Sequence, residues 1–264
     1  MHFLRSSILV FAVFLGIGSI LRFSEQEYNR ADTVDPLWRA PALVVPEFPA
    51  DNFHAAAPAQ DIVDEGGEEV IVPIEILSAV DLPVPFTSQF PTRSTAMPYR
   101  EACEESSVLM VLRYFSQEDI SSTEDAAEGI QDLVERNVNV FGDSIDESAA
   151  EVRDLLLEQS SDLSVQLLTN PSITDLQREL SQGHVLLVPV SAEVLDNPNF
   201  TPPPPDYHMI IIRGYTEDEF FITNEPGSKK GEGHLYSYET IMEAIGDLQD
   251  GKAEGEKVVV VVGK

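Results

Sequence analysis

Five residues of this chain have the types and spacing for nucleophilic chemistry: Gln89, Cys103, His208, Asn224 and Glu225. A thiol attacks a carbonyl when its thiolate is stabilised, a base lies within reach, a third group orients that base, and donors await the oxyanion. Cys103, the only cysteine, falls in the first turn of an expected helix, where unpaired backbone N–H groups and the helix dipole favour negative charge. A lone cysteine could also be an inert core thiol or an intermolecular bridge, so its neighbours decide. Glu101, Glu104 and Glu105 beside it oppose a thiolate, and their side chains are expected in solvent at the helix start. His208 opens the apolar run HMIIIRGY behind the proline-rich DNPNFTPPPPDY, which places an imidazole at a strand end. Its orienting partner is sought in FFITNEPG, where alternation lets only one of Asn224 and Glu225 face the histidine. An odd hairpin loop selects Asn224, and an even one selects Glu225. Gln89 lies fourteen positions before Cys103 and could donate to an oxyanion alongside the Cys103 backbone N–H.

The elements that must position these residues follow from apolar periodicity. Helices are expected over 101–115, with Val108, Leu109, Val111, Leu112 and Phe115 on one face, then over 122–137 and 146–159. Beyond them come a strand at 164–168, a helix at 174–182 stopped by Gly183, and the buried strand VLLVPV at 185–190. HMIIIRGY and FFITN, joined by Thr216 to Glu219, read as a hairpin. A helix at 238–248 and a last strand at 257–262 complete the order. Helices first and antiparallel strands after define an α+β fold.

Residues 1–23 hold Arg5, an apolar run from Ile8 to Leu21 and then Arg22, the pattern of a membrane anchor or an export signal. The uncharged positions span roughly 24 Å, somewhat short of a hydrocarbon core of about 30 Å. An uncleaved anchor with the remainder outside the cytoplasm is the expectation, or a secreted chain if the segment is removed. Residues 24–80, rich in Pro, Ala and acidic side chains, read as a tether in which Trp38 and His54 have no assigned role. Val70 to Leu77 is apolar enough for an edge strand that could lie near a cleft. The globular domain is expected at 81–264. A net charge of −30 opposes binding to nucleic acid. His184 and His234 lack the spacing of a metal set, and the GSKKGEG loop at 227–233 lacks a phosphate-binding arrangement. No metal and no cofactor are expected, and the glycine-rich loop reads as a flexible rim. A monomer acting on a peptide or protein is the expected state.

The segments VPFTSQFP, ACEESSVLMVL, YHMIIIRGY, ITNEPG and GEGHLYSYETIMEAI, in this order, resemble the bacterial domains related to bacteriocin leader peptidases, a branch of the papain-like cysteine peptidases. The resemblance covers residues 81–264 and implies a papain-like fold with the nucleophile on the central helix. It also implies roles: a glutamine before the cysteine serves the oxyanion, the cysteine attacks, and a histidine with a following Asp completes the triad. Carried over by motif, these fall on Gln89, Cys103 and His208. The family's Asp before a proline is Glu225 here, and Asn224 could serve in the papain manner. The family's glycine-proline after the cysteine is replaced by Glu104 and Glu105. The expected function is a thiol hydrolase of peptide or amide bonds. The rival readings are acyl transfer or transpeptidation at the same residues, and a non-catalytic peptide-binding module on the same fold.

Overall fold

The structure is a computed structural model that describes residues 74–141 and 146–264. The anchor or signal at 1–23 and most of the tether lie outside the described residues. Among the described residues, no helix is long and apolar enough to cross a membrane. In chain order the elements are β1 (Val80–Asp81), a 3-10 turn (Tyr99–Glu101), α1 (Cys103–Ser116), α2 (Thr123–Phe141), α3 (Ala149–Gln159), β2 (Ser164–Thr169) and α4 (Ile173–Ser181). Then follow β3 (Val185–Val190), α5 (Ala192–Leu195), β4 (His208–Tyr215), β5 (Phe220–Asn224), β6 (Glu232–Ser237), α6 (Tyr238–Ala244) and β7 (Val258–Gly263). The fold is α+β, as the element order anticipated, and papain-like, as the resemblance implied.

The strands form one sheet in the order β2-β7-β3-β4-β5-β6, with every pair antiparallel, and β1 pairs with the far end of β4. Both faces are covered, so β3, β4 and β7 are apolar without alternation. Val185, Leu187, Met209, Ile211, Val258, Val260 and Val262 meet α1, α2 and α3 on one face. Their neighbours Leu186, Val188, Ile210, Ile212, Val259 and Val261 meet α4 and α6 on the other. This two-residue alternation is the pleat of the strand read through two cores. Ser148 and Ser172 close capping boxes with Glu151 and Asp175, which fix where α3 and α4 begin.

Three expectations need correction. Ile74 to Leu77 form no strand; Leu77 donates its N–H to Ser181 Oγ and accepts from Tyr215 Oη, so the chain is already tied to the domain before Val80. The end of the GSKKGEG segment enters strand β6, and Gly231 packs so closely on Glu225 that an added Cβ would stand 1.8 Å from the Glu225 carbonyl oxygen. A structured turn therefore replaces the expected flexible rim. Third, Glu104 and Glu105 are buried, at 0% and 4% exposure, not in solvent.

Candidate active site

Cys103 is the first residue of α1, delivered by the 3-10 turn and by Ala102, which offers no side-chain cap. Its thiol is 5% exposed and donates to Glu104 Oε2 at 3.0 Å. The sulfur also accepts from the backbone N–H of Met209, the residue after His208, so the helix start meets the start of β4. Burial pushes the Cys103 thiol well above its ordinary range, and the charge and hydrogen bond of Glu104 push it further; the Met209 N–H opposes them. In this state Cys103 is a thiol, not a thiolate.

His208, 2% exposed, presents Nε2 to Glu225 Oε1 at 2.5 Å. Glu225 is wholly buried, and its carboxylate also accepts from the Gly227 N–H at 2.9 Å and from Tyr236 Oη at 3.3 Å. Asn197 donates to Tyr236 Oη at 2.6 Å, and Phe200 stands edge-on to the imidazole at 5.6 Å. The proline-rich loop thus contributes a wall and a brace to the histidine.

The geometry brings His208 to Glu225 and turns Asn224 elsewhere. Asn224 Nδ2 donates to the carbonyls of Val84 and Pro85, which ties β5 to the segment leading to Gln89. The hairpin explains this choice. Tyr215 pairs with Phe221 across five residues, an odd loop that by itself would put Asn224 on the histidine's face. A one-residue shift follows: Gly214 pairs with Ile222 but Ile212 with Thr223, so Arg213 is an extra residue in β4. This β-bulge reverses the parity and delivers Glu225. Arg213 is held there by Asp81 and by the Leu82 N–H, while β1 approaches Gly214 so closely that a Cβ would stand 2.1 Å from the Val80 carbonyl oxygen.

Gln89 lies beside the helix start, but both hydrogens of its amide are engaged, at 3.0 Å each, by the carbonyls of Tyr99 and Arg100. In this state it braces the turn before Cys103 rather than presenting a free oxyanion donor. Its backbone N–H and Ser88 Oγ both bond the Pro226 carbonyl, at 2.9 and 3.0 Å. The glutamine loop is therefore clamped to the strand end that carries Glu225. A surface cavity of about 410 Å³ adjoins this loop, lined by Phe86, Ser88, Phe90, Arg93 and Lys229 among others.

Residues missed by the sequence reading surround Cys103. Glu104, Glu105 and Glu147 bring one carboxylate oxygen each within 4.8 Å of one another, and Asn137 Nδ2 donates to Glu105 Oε1 at 3.0 Å. Burial raises Glu104 well above the carboxylate range, with Glu147 and Glu105 adding repulsion. Glu147 is pushed up to about 8, by burial first and then by Glu105. The signal was present: helix periodicity puts residues 104 and 105 on the same broad face as Val108 and Leu109.

A buried cysteine at the head of a helix, packed on an antiparallel sheet whose strand supplies a His–Glu pair, defines a papain-like peptidase domain. The model of the Peptidase_C39 like family matches residues 81–247, and the chain belongs to that family. A crystal structure of a proposed C39-like peptidase from Bacillus anthracis is similar at 16% identity and a TM-score of 0.48, over 70% of this chain and 98% of that one. No protein of curated function matches the chain.

Proposed function

We propose that the chain is a cysteine peptidase acting outside the cytoplasm, in which His208 serves Cys103 as base and Glu225 is the orienting third member. The observation that carries this reading is the buried His208–Glu225 contact of 2.5 Å, one residue from the Met209 N–H that meets Cys103 Sγ. With Nε2 committed to Glu225, Nδ1 is the nitrogen left to take the thiol proton. The thiolate then attacks a peptide or amide carbonyl and forms a tetrahedral oxyanion. Its donors are the Cys103 backbone N–H and Gln89 Nε2, once a bond to Tyr99 or Arg100 is exchanged. His208 returns the proton to the leaving amine, and water, deprotonated by the same imidazole, releases the acyl group. The location outside the cytoplasm rests on the charge pattern of residues 1–23.

The experiment is labelling by a thiol-directed peptide electrophile. Wild type is expected to react at least tenfold faster than a small-thiol control at pH 7, with no label on Cys103→Ala. Labelling no faster than the control overturns the catalytic reading.

One observation favours a second reading, a peptide-binding module without catalysis. Cys103 is buried, and its proton is held by Glu104 instead of being taken by a base. That module requires a thiol midpoint above about 8.5 in both free and peptide-bound protein. A midpoint that falls below 7 when peptide binds excludes it.

A further inference from the structure

Beneath Cys103, three buried carboxylates meet with no basic side chain paired to them among the described residues. Glu104 and Glu105 sit on adjacent positions of α1, and Glu147 lies just before α3; their exposures are 0%, 4% and 1%. Among the described residues, none of the three forms an ion pair with a Lys, Arg or His. One oxygen of each, Glu104 Oε1, Glu105 Oε2 and Glu147 Oε2, is buried and receives no hydrogen bond. Buried charge of one sign is ordinarily neutralised by a partner, a proton or a metal ion.

A fourth side chain points independently to a ligand. Asn137 on α2 is 3% exposed, and its amide lies against the cluster, donating Nδ2 to Glu105 Oε1 and reaching Glu147 as well. Its other amide atom, Oδ1, is buried and unpartnered, and a half-turn of the amide exchanges it for Nδ2 on the side of the carboxylates. A buried amide oxygen with no donor is a neutral hard ligand of the kind that completes carboxylate sites.

We propose that Glu104, Glu105, Glu147 and the Asn137 amide oxygen form a site for one hard divalent cation of the calcium class, beneath the helix that carries the nucleophile. The spacing fits. Ligand oxygens at about 2.4 Å from a calcium ion lie no more than about 4.8 Å from one another, the span these carboxylate oxygens occupy. The donor set is oxygen alone, which selects calcium, magnesium or manganese over zinc or copper. Size and irregularity favour calcium, because magnesium demands near-octahedral geometry and keeps its water. Calcium would tie α1, α2 and the segment before α3 together. Glu104 links the site to chemistry: its Oε2 accepts from Cys103 Sγ while its Oε1 is buried and unpartnered, so occupancy would fix the carboxylate that touches Cys103. Three glutamates on two segments have no motif spacing, which is why a search for His and Cys sets does not find them.

The test uses the full chain in mild detergent, stripped with EDTA, at 150 mM salt to suppress diffuse binding to a chain of charge −30. Calcium is titrated calorimetrically and unfolding is followed by temperature. One saturable calcium per chain is expected, with a Tm rise of about 5 °C or more at a hundredfold excess over Kd. Glu147→Gln should weaken binding at least tenfold and abolish the Tm rise, while Asp175→Asn on the surface should change neither. Glu105→Gln replaces Glu147→Gln if the latter does not fold. Terbium luminescence sensitised by buried Tyr207, whose hydroxyl bonds the Glu147 carbonyl, reports occupancy separately. Absence of a saturable site for calcium, magnesium and manganese overturns the proposal, and so does a site of unchanged affinity in the glutamine variants. None of these readouts depends on peptidase activity.

Discussion

Replacing Glu225 by Gln separates its charge from its shape. In wild type one carboxylate oxygen accepts from His208 Nε2 at 2.5 Å and from the Gly227 N–H at 2.9 Å, and the other accepts from Tyr236 Oη at 3.3 Å. A glutamine oriented with Oε1 towards Gly227 and His208 keeps the first two bonds, and its amide nitrogen can donate to Tyr236 Oη. The fold should therefore survive, whereas Glu225→Ala leaves a buried histidine unpaired and should cost about 3–5 kcal/mol. What Gln removes is the negative charge that stabilises the imidazolium after the thiol proton is transferred. The same loss in a catalytic triad costs about 10⁴ in kcat. We expect the second-order rate of labelling by a peptide electrophile to fall by about 10³ or more, with Tm within a few degrees of wild type. Asn224→Ala is the matched control. It removes the bonds to the Val84 and Pro85 carbonyls, at a cost of about 1–3 kcal/mol, and should leave labelling per folded molecule within threefold. An Asn224→Ala protein that is folded but a hundredfold slower, beside a Glu225→Gln protein within tenfold of wild type, would refute the assignment of the third position.

Glu104→Gln, assayed in chelator, should make Cys103 more acidic, because it removes the charge that opposes a thiolate and offers an amide N–H that can donate to one; the pH profile of iodoacetamide alkylation should move down by at least one unit. Glu147 governs stability in the same chelated protein. Its folded value of about 8 lies above the unfolded value of about 4.3, so the folded state binds the extra proton between them and the stabilisation is lost as pH rises through that window. Denaturant unfolding should show a slope of up to about 1.4 kcal/mol per pH unit from this group, which Glu147→Gln removes. Gly231→Ala would drive a Cβ to 1.8 Å from the Glu225 carbonyl oxygen and should cost at least about 2 kcal/mol, with slower labelling from a displaced Glu225. Gln89→Ala should lower labelling by about 10² through the oxyanion, more than two lost bonds to the turn can explain through unfolding alone.

Much of the fold was legible because its signals are local. VLLVPV, the MIII of HMIIIRGY and the VVVVV after Lys257 are apolar without alternation, which happens when both faces of a strand are covered, and the structure covers both. The strand β6 was not legible, since EGHLYS follows a glycine-rich turn and owes its pairing to Gly231 fitting against Glu225. Glu104 and Glu105 misled for a different reason: a carboxylate in a first helical turn is ordinarily a solvated partner of the dipole, and only tertiary packing buries it.

The third position of the site shows most clearly where sequence reasoning stops. Alternation and loop parity reduce the choice between Asn224 and Glu225 to one bit, and the five residues between the paired Tyr215 and Phe221, counted alone, give the wrong value of it. The deciding residue is Arg213, five positions and about 17 Å of strand from His208, since each strand residue advances about 3.4 Å. Its bulge is not written in HMIIIRGY, because any residue can occupy a bulge. It arises where β1 presses its backbone on Gly214 and where Asp81 and Leu82 hold Arg213 out of register. Which residue meets His208 thus depends on a two-residue strand, β1. Gly214→Val, which leaves every proposed catalytic side chain in place, should therefore disturb the His208–Glu225 contact by expelling β1, and the loss of labelling should accompany a loss of the bulge.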